Sequence, residues 1–114
     1  MPSVLVVDDD VLILAALIRI CRRFPVELRS ATSAPEALAL IEQRPPTLLI
    51  TDLRMPVMNG LELIYAVQQK FPAVRCVLHT ADSGIDCEPG IEILIKPCEI
   101  DVLDRLISSI VVAT

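Results

Sequence analysis

A doubly wound α/β domain, with helices on both faces of a five-stranded parallel sheet, is the fold class this sequence predicts. Three observations lead there. Short apolar runs alternate with longer segments of helical periodicity along the whole chain. The short runs are mostly continuous and β-branched, as expected of strands buried on both faces. Strand then helix, repeated, is the pattern of parallel βαβ units with right-handed crossovers.

The elements follow in order. "SVLVV" (3–7) reads as a central strand. "VLILAALIRICRRF" (11–24) is helical and ends in Arg22 and Arg23, which suit a helix C-terminus; Pro25 closes it. "VELRSA" (26–31) alternates, as a strand nearer an edge would. "SAPEALALIEQ" (33–43) opens with Ser33 three residues before Glu36, a predicted capping box, with Pro35 in the first turn. "TLLIT" (47–51) is a strand running into Asp52, and "LRMPVMN" (53–59) is a loop. Gly60 admits the helix "LELIYAVQQK" (61–70). "AVRCVLH" (73–79) is a strand reaching Thr80, and "IEILI" (91–95) one reaching Lys96. "EIDVLDRLISSIVV" (99–112) places Ile100, Leu103, Leu106, Ile107 and Ile110 on one helical face. The simplest strand order is 2-1-3-4-5, with the ligand site beyond the C-terminal strand ends.

The chain of 114 residues is read as one domain, 1–114. Aromatics are 3% of a sequence that is 54% hydrophobic, so the core must be aliphatic. Fifteen acidic against ten basic residues give a net charge of −5, which argues against a nucleic-acid surface. No apolar run is long enough for a membrane span, and Asp8, Asp9 and Asp10 interrupt the first one, so a cytoplasmic protein is expected. Cys21, Cys76, Cys87 and Cys98 lack paired spacing and read as free thiols rather than zinc ligands. His79 reads as structural.

Four of the five apolar runs end on a chemically useful residue: Asp8 and Asp9, Asp52, Thr80 and Lys96. In a parallel sheet these ends point the same way and their side chains can converge. Asp10 is the expected N-cap of the first helix. Three converging carboxylates repel unless a cation sits between them, and Mg²⁺ suits an all-oxygen donor set. Lys96 and Thr80 supply a positive charge and a hydroxyl donor for an anion beside Asp52. The set suits phosphoryl transfer onto a carboxylate.

With "VLVVDDD", "ITDLRMPVMNGLEL", "HTA" and "LIKP" in this order, the chain resembles the receiver domains of bacterial two-component response regulators, a flavodoxin-like fold. The resemblance implies that Asp52 is the phosphoacceptor for a histidine kinase or phosphotransfer protein. It implies Mg²⁺ bound by Asp9 directly, by Asp8 largely through water, by Asp52, and by the backbone carbonyl of Arg54. Thr80 would hydrogen-bond the phosphoryl group and Lys96 would neutralise it, while Pro56 and Gly60 shape the loop before the third helix. Such a domain is a signalling module that catalyses only its own phosphorylation and dephosphorylation.

Two departures from the family are visible. "ADSGIDCEPG" (81–90) leaves room for at most one helical turn, so the usual fourth helix is expected to be short or absent. The aromatic residue usual three positions before the Lys is Ile93. The alternative reading is therefore a phosphorylation-independent interaction domain with an atypical output face. A hydrolase working through an aspartyl-phosphate lacks a second D-x-D arrangement and a substrate cap. No effector domain is visible in the chain, and a homodimer, if formed, is expected to use the last helix, 99–112.

Overall fold

The computed structural model describes residues 1–82, 91–96 and 100–112. Five strands, β1 (Ser3–Val7), β2 (Glu27–Ala31), β3 (Leu48–Asp52), β4 (Arg75–Thr80) and β5 (Glu92–Ile95), form one sheet in the order β2-β1-β3-β4-β5. Every pairing is parallel. The helices are α1 (Val11–Cys21), α2 (Ala34–Gln43), α3 (Gly60–Lys70) and α4 (Ile100–Val112). The predicted shortening of the connection between β4 and β5 falls on residues 83–90, outside the described residues.

The continuous apolar runs are explained by two cores, one on each sheet face. Val4 and Val6 of β1 join Leu48 and Ile50 of β3 against α1 and α4. Leu5 and Val7 join Leu49 against α2 and α3. Because side chains alternate along a strand, only a run with no polar interruption feeds both. The outer strand β2 is half-buried over most of its length, as its alternating sequence predicts.

Helix starts show local chemistry at work. Asp10 caps α1 by accepting from the N–H groups of Leu12 and Ile13. Ser33 caps α2 by accepting from Glu36 N–H, but the predicted reciprocal arm is missing: the Glu36 carboxylate instead accepts from Thr32 Oγ1. The complete capping box is at α3, between Asn59 and Glu62. Two expectations need correction. Helix α1 ends at Cys21, short of Phe24, because Arg23 and Phe24 turn back to the Ile20 and Cys21 carbonyls in a tighter, three-residue turn. Ile100, in the first turn of α4, is 53% exposed, whereas Leu103, Leu106, Ile107 and Ile110 are buried.

No described helix is long and apolar enough to cross a membrane. Cys21 and Cys76 are buried, and burial pushes the Cys76 thiol up to about 11, leaving it unreactive. Cys87 and Cys98 lie outside the described residues.

Candidate functional site

The parallel topology delivers three strand ends to one point. Asp8 follows β1, Asp52 closes β3, and Lys96 follows β5. The Lys96 ammonium donates to Asp52 Oδ1 at 3.0 Å and to Asp8 Oδ2 at 3.3 Å, tying residues 44 and 88 positions away in sequence. Its position is set by its own backbone: Lys96 N–H donates to Thr80 O at 2.7 Å, extending the β4–β5 ladder by one residue.

Asp8 is fully buried. Its Oδ1 accepts from Asp10 N–H at 2.8 Å, so the residue that caps α1 also orients the acid behind it. Burial raises the Asp8 carboxyl above the ordinary aspartate range, and the Asp52 charge adds to the rise. The Asp10 N–H and Lys96 oppose it. Lys96 is raised in turn, its loss of solvent being more than offset by hydrogen bonding and charge from Asp52 and Asp8.

Asp52 Oδ1 also accepts from Leu53 N–H at 2.9 Å. Among the described residues, Asp52 Oδ2 has no hydrogen-bond donor. Asp9 is exposed, yet one oxygen from each of Asp8, Asp9 and Asp52 can lie within 4.8 Å of the other two. An all-carboxylate group this tight fits a hard divalent cation, which would relieve the smaller, Asp52-derived part of the rise at Asp8.

Thr80 is buried at the end of β4, and its Oγ1 accepts from Asp82 N–H at 3.1 Å. Asp82 pairs with Arg54 across the mouth of the site at 3.1 Å. Arg54 stands two residues beyond Asp52 in the loop before α3. The following residues carry a backbone feature the sequence did not announce. Val57 has φ 73° and is 95% exposed, and Met58 N–H reaches back over it to Pro56 O at 2.8 Å. A β-branched residue at positive φ is strained. Met55 is buried in the core beneath this turn, and Met58 packs at its edge, as loop-packing residues should.

A family model described as the response regulator receiver domain matches residues 4–107. This chain belongs to that family. The receiver domain is 36% identical over 84 residues to the regulatory protein LuxO of Vibrio cholerae, covering 68% of this chain and 18% of LuxO. It is 31% identical over 113 residues to the DNA-binding transcriptional regulator NtrC of Klebsiella pneumoniae, covering 90% of this chain and 24% of NtrC. It thus spans less than a quarter of either relative. Among solved structures it resembles the signal receiver domain of an HD domain-containing protein from Pseudomonas fluorescens, with TM-score 0.88 and 28% identity over 95% of this chain and 85% of the other. The receiver domain of NtrX from Brucella abortus is also similar, with TM-score 0.83 and 26% identity over 93% of this chain and 95% of the other.

In this receiver domain the sequence-predicted residues Asp8, Asp52, Thr80 and Lys96 are brought together at the strand ends, with Asp9 at the rim. Sequence reading missed three features. The Arg54–Asp82 pair joins two loops and has no local pattern. The Asn59/Glu62 box is visible in the sequence only as N-x-x-E ahead of the helix that Gly60 opens. The third is His79, 3% exposed on the α1 side of the sheet, with neither ring nitrogen hydrogen-bonded. Burial, with Lys96 adding to it, lowers the imidazole to about 4, so it is neutral at pH 7.

Proposed function

We propose that this receiver domain accepts a phosphoryl group on Asp52 from the phosphohistidine of a histidine kinase or phosphotransfer protein, in a Mg²⁺-dependent reaction. The observation that carries the reading is the double hydrogen bond of Lys96 to Asp52 and Asp8, with Asp9 close enough to share a cation with both acids. Lys96 and Leu53 N–H hold Asp52 Oδ1, which leaves Oδ2 as the attacking oxygen. A P–O bond forms at Oδ2 as the donor's P–N bond breaks. The electron pair stays on the imidazole nitrogen, which then takes a proton from water.

Asp8, Asp9, Asp52 and the Arg54 backbone carbonyl would hold Mg²⁺, which when bound neutralises charge on the carboxylates and the phosphoryl oxygens. Thr80 Oγ1 already accepts from Asp82 N–H, so its own proton is available to donate to a phosphoryl oxygen. Lys96 follows the negative charge from the carboxylate to the phosphoryl group. The domain does no chemistry on any other substrate, and its phosphorylated state acts on an effector domain or a downstream protein in the cytoplasm.

A phosphorylation-independent interaction domain is the competing account. Ile93 favours some of it, because it is half-buried against the α2–α3 core and has no polar tip to exchange with solvent. Incubation with acetyl phosphate, followed by intact mass, separates the two. Uptake of one phosphoryl group with Mg²⁺ and none with EDTA supports the proposal. No uptake under either condition supports the competitor.

A further inference from the structure

Asp10 stands between the acidic site and helix α1 and is bonded to both. Its backbone N–H donates to Asp8 Oδ1 at 2.8 Å, closing a turn over Asp9. Its own Oδ1 accepts from Leu12 N–H at 3.0 Å and, more weakly, from Ile13 N–H at 3.4 Å. The Asp8 carboxylate and the first turn of α1 are thereby joined through one residue.

Packing does little to hold that turn. Val11 and Leu12 are 63% and 78% exposed, and the first buried residue of the helix is Leu14. The turn has no acidic side chain of its own to favour the helix dipole. It depends on its cap, because the leading N–H groups of a helix have no partner inside it. Without the cap, Asp8 Oδ2 keeps its bond to Lys96, but the turn that fixes Oδ1 and carries the exposed Asp9 loses its support.

We propose that Asp10 is a positioning residue for the divalent cation: its cap holds the turn that presents Asp8 and Asp9, and the same bonds couple cation binding to the first turn of α1. The role is one of geometry rather than charge, since the Asp10 carboxylate is exposed and screened by solvent and salt. The inference rests on the proposed Mg²⁺ site and adds to it a residue outside the set of ligands.

The test is a titration of Mg²⁺ into the ¹⁵N-labelled full chain, without phosphodonor and below the melting range of every variant, with affinity read from amide shifts. Asp10→Ala should weaken Mg²⁺ binding roughly tenfold, the low end of what is lost with residues that support metal ligands. Asp10→Asn and Asp10→Ser keep a good cap without the charge and should stay within about threefold of the wild type. Ser33→Ala removes the cap of α2, which engages Glu36 N–H, and should lower the melting temperature without changing the Mg²⁺ affinity. Adding Mg²⁺ to the wild type should also slow amide exchange at Leu12 and Ile13, and in Asp10→Ala it should not. Wild-type affinity in Asp10→Ala, an equal loss in Asp10→Asn and Asp10→Ser, an equal loss in Ser33→Ala, or exchange at Leu12 and Ile13 that ignores Mg²⁺ would each overturn the proposal. Absence of any saturable shift in the wild type would overturn the Mg²⁺ site itself and this inference with it.

Discussion

Gly60 and Asp52 meet backbone to backbone. Gly60, the first residue of α3, lies so close to the end of β3 that an added Cβ would overlap the Asp52 carbonyl oxygen and sit 2.9 Å from the carbonyl carbon. Gly60 N–H meanwhile donates to Leu53 O at 2.8 Å. The contact sets the depth at which the loop bearing Arg54 returns to the sheet. The two nearest atoms that Gly60→Ala would meet are backbone and cannot swing aside; only the third, Leu78 Cδ1 at 3.0 Å, belongs to a side chain. We expect a loss of about 2–3 kcal/mol in urea denaturation, at the upper end for overpacking. A loss below about 0.5 kcal/mol would mean that α3 can slide away freely.

Val57 is the second backbone test. Its positive φ costs about 1–3 kcal/mol, and its side chain makes almost no contact in return. Val57→Gly removes the strain but adds freedom to the unfolded chain. The net expectation is a gain of about 0.5–1 kcal/mol, read as a higher urea midpoint with an unchanged slope. A destabilised variant would show that the side chain does hold the turn.

His79→Leu should stabilise the domain by about 1 kcal/mol at pH 7, because an unpaired buried polar group is replaced by an apolar one. The pH dependence has a definite sign. The folded imidazole titrates at about 4 and the unfolded one near 6.5, so protons favour the unfolded state as pH falls from 6.5 toward 4. The advantage of the variant should therefore grow by about 2 kcal/mol between pH 7 and 4.5. Paired melts at the two pH values check this, and a constant difference would contradict it.

Lys96→Met strips the buried Asp8 carboxylate of its counter-charge. A loss of about 2–4 kcal/mol at pH 7 is expected, discounted for the partial exposure of the pair. Since the folded Asp8 pKa is already raised, and rises further without Lys96, the loss should shrink as pH falls through it and the acid becomes neutral. Melts of the variant and wild type at pH 7 and pH 5 measure the difference. An equal loss at both would remove Asp8 as its cause.

Much of this was legible in the sequence because the signals were local or periodic. Val4 to Val7 read as a doubly buried strand since nothing polar interrupts them, and Asp10 read as a cap from its place before Val11. The convergence of Asp8, Asp52 and Lys96 followed from parallel topology, which sends all strand ends one way. What was not legible depends on partners distant in sequence. Arg54 meets Asp82 only once two loops are folded, and the positive φ of Val57 goes against residue type, valine being among the residues least suited to it. Ile100 fits the helical spacing of α4 yet is exposed, because periodicity gives a direction but not how far the covering layer extends. His79 reads as structural in the sequence, and only the packed sheet shows that its ring is buried with neither nitrogen hydrogen-bonded.

The measurement closest to the central claim is phosphorylation of wild type and Asp52→Asn by acetyl phosphate with Mg²⁺, read by intact mass and peptide mapping. The account predicts one phosphoryl group on the wild-type peptide containing Asp52 and none on the variant, with the two proteins giving superimposable circular dichroism. Asp9→Ala, run beside them, should require more Mg²⁺ for half-maximal phosphorylation. Phosphorylation of Asp52→Asn at the wild-type rate, or a phosphoryl group mapped to another residue, would contradict the assignment of Asp52 as the acceptor.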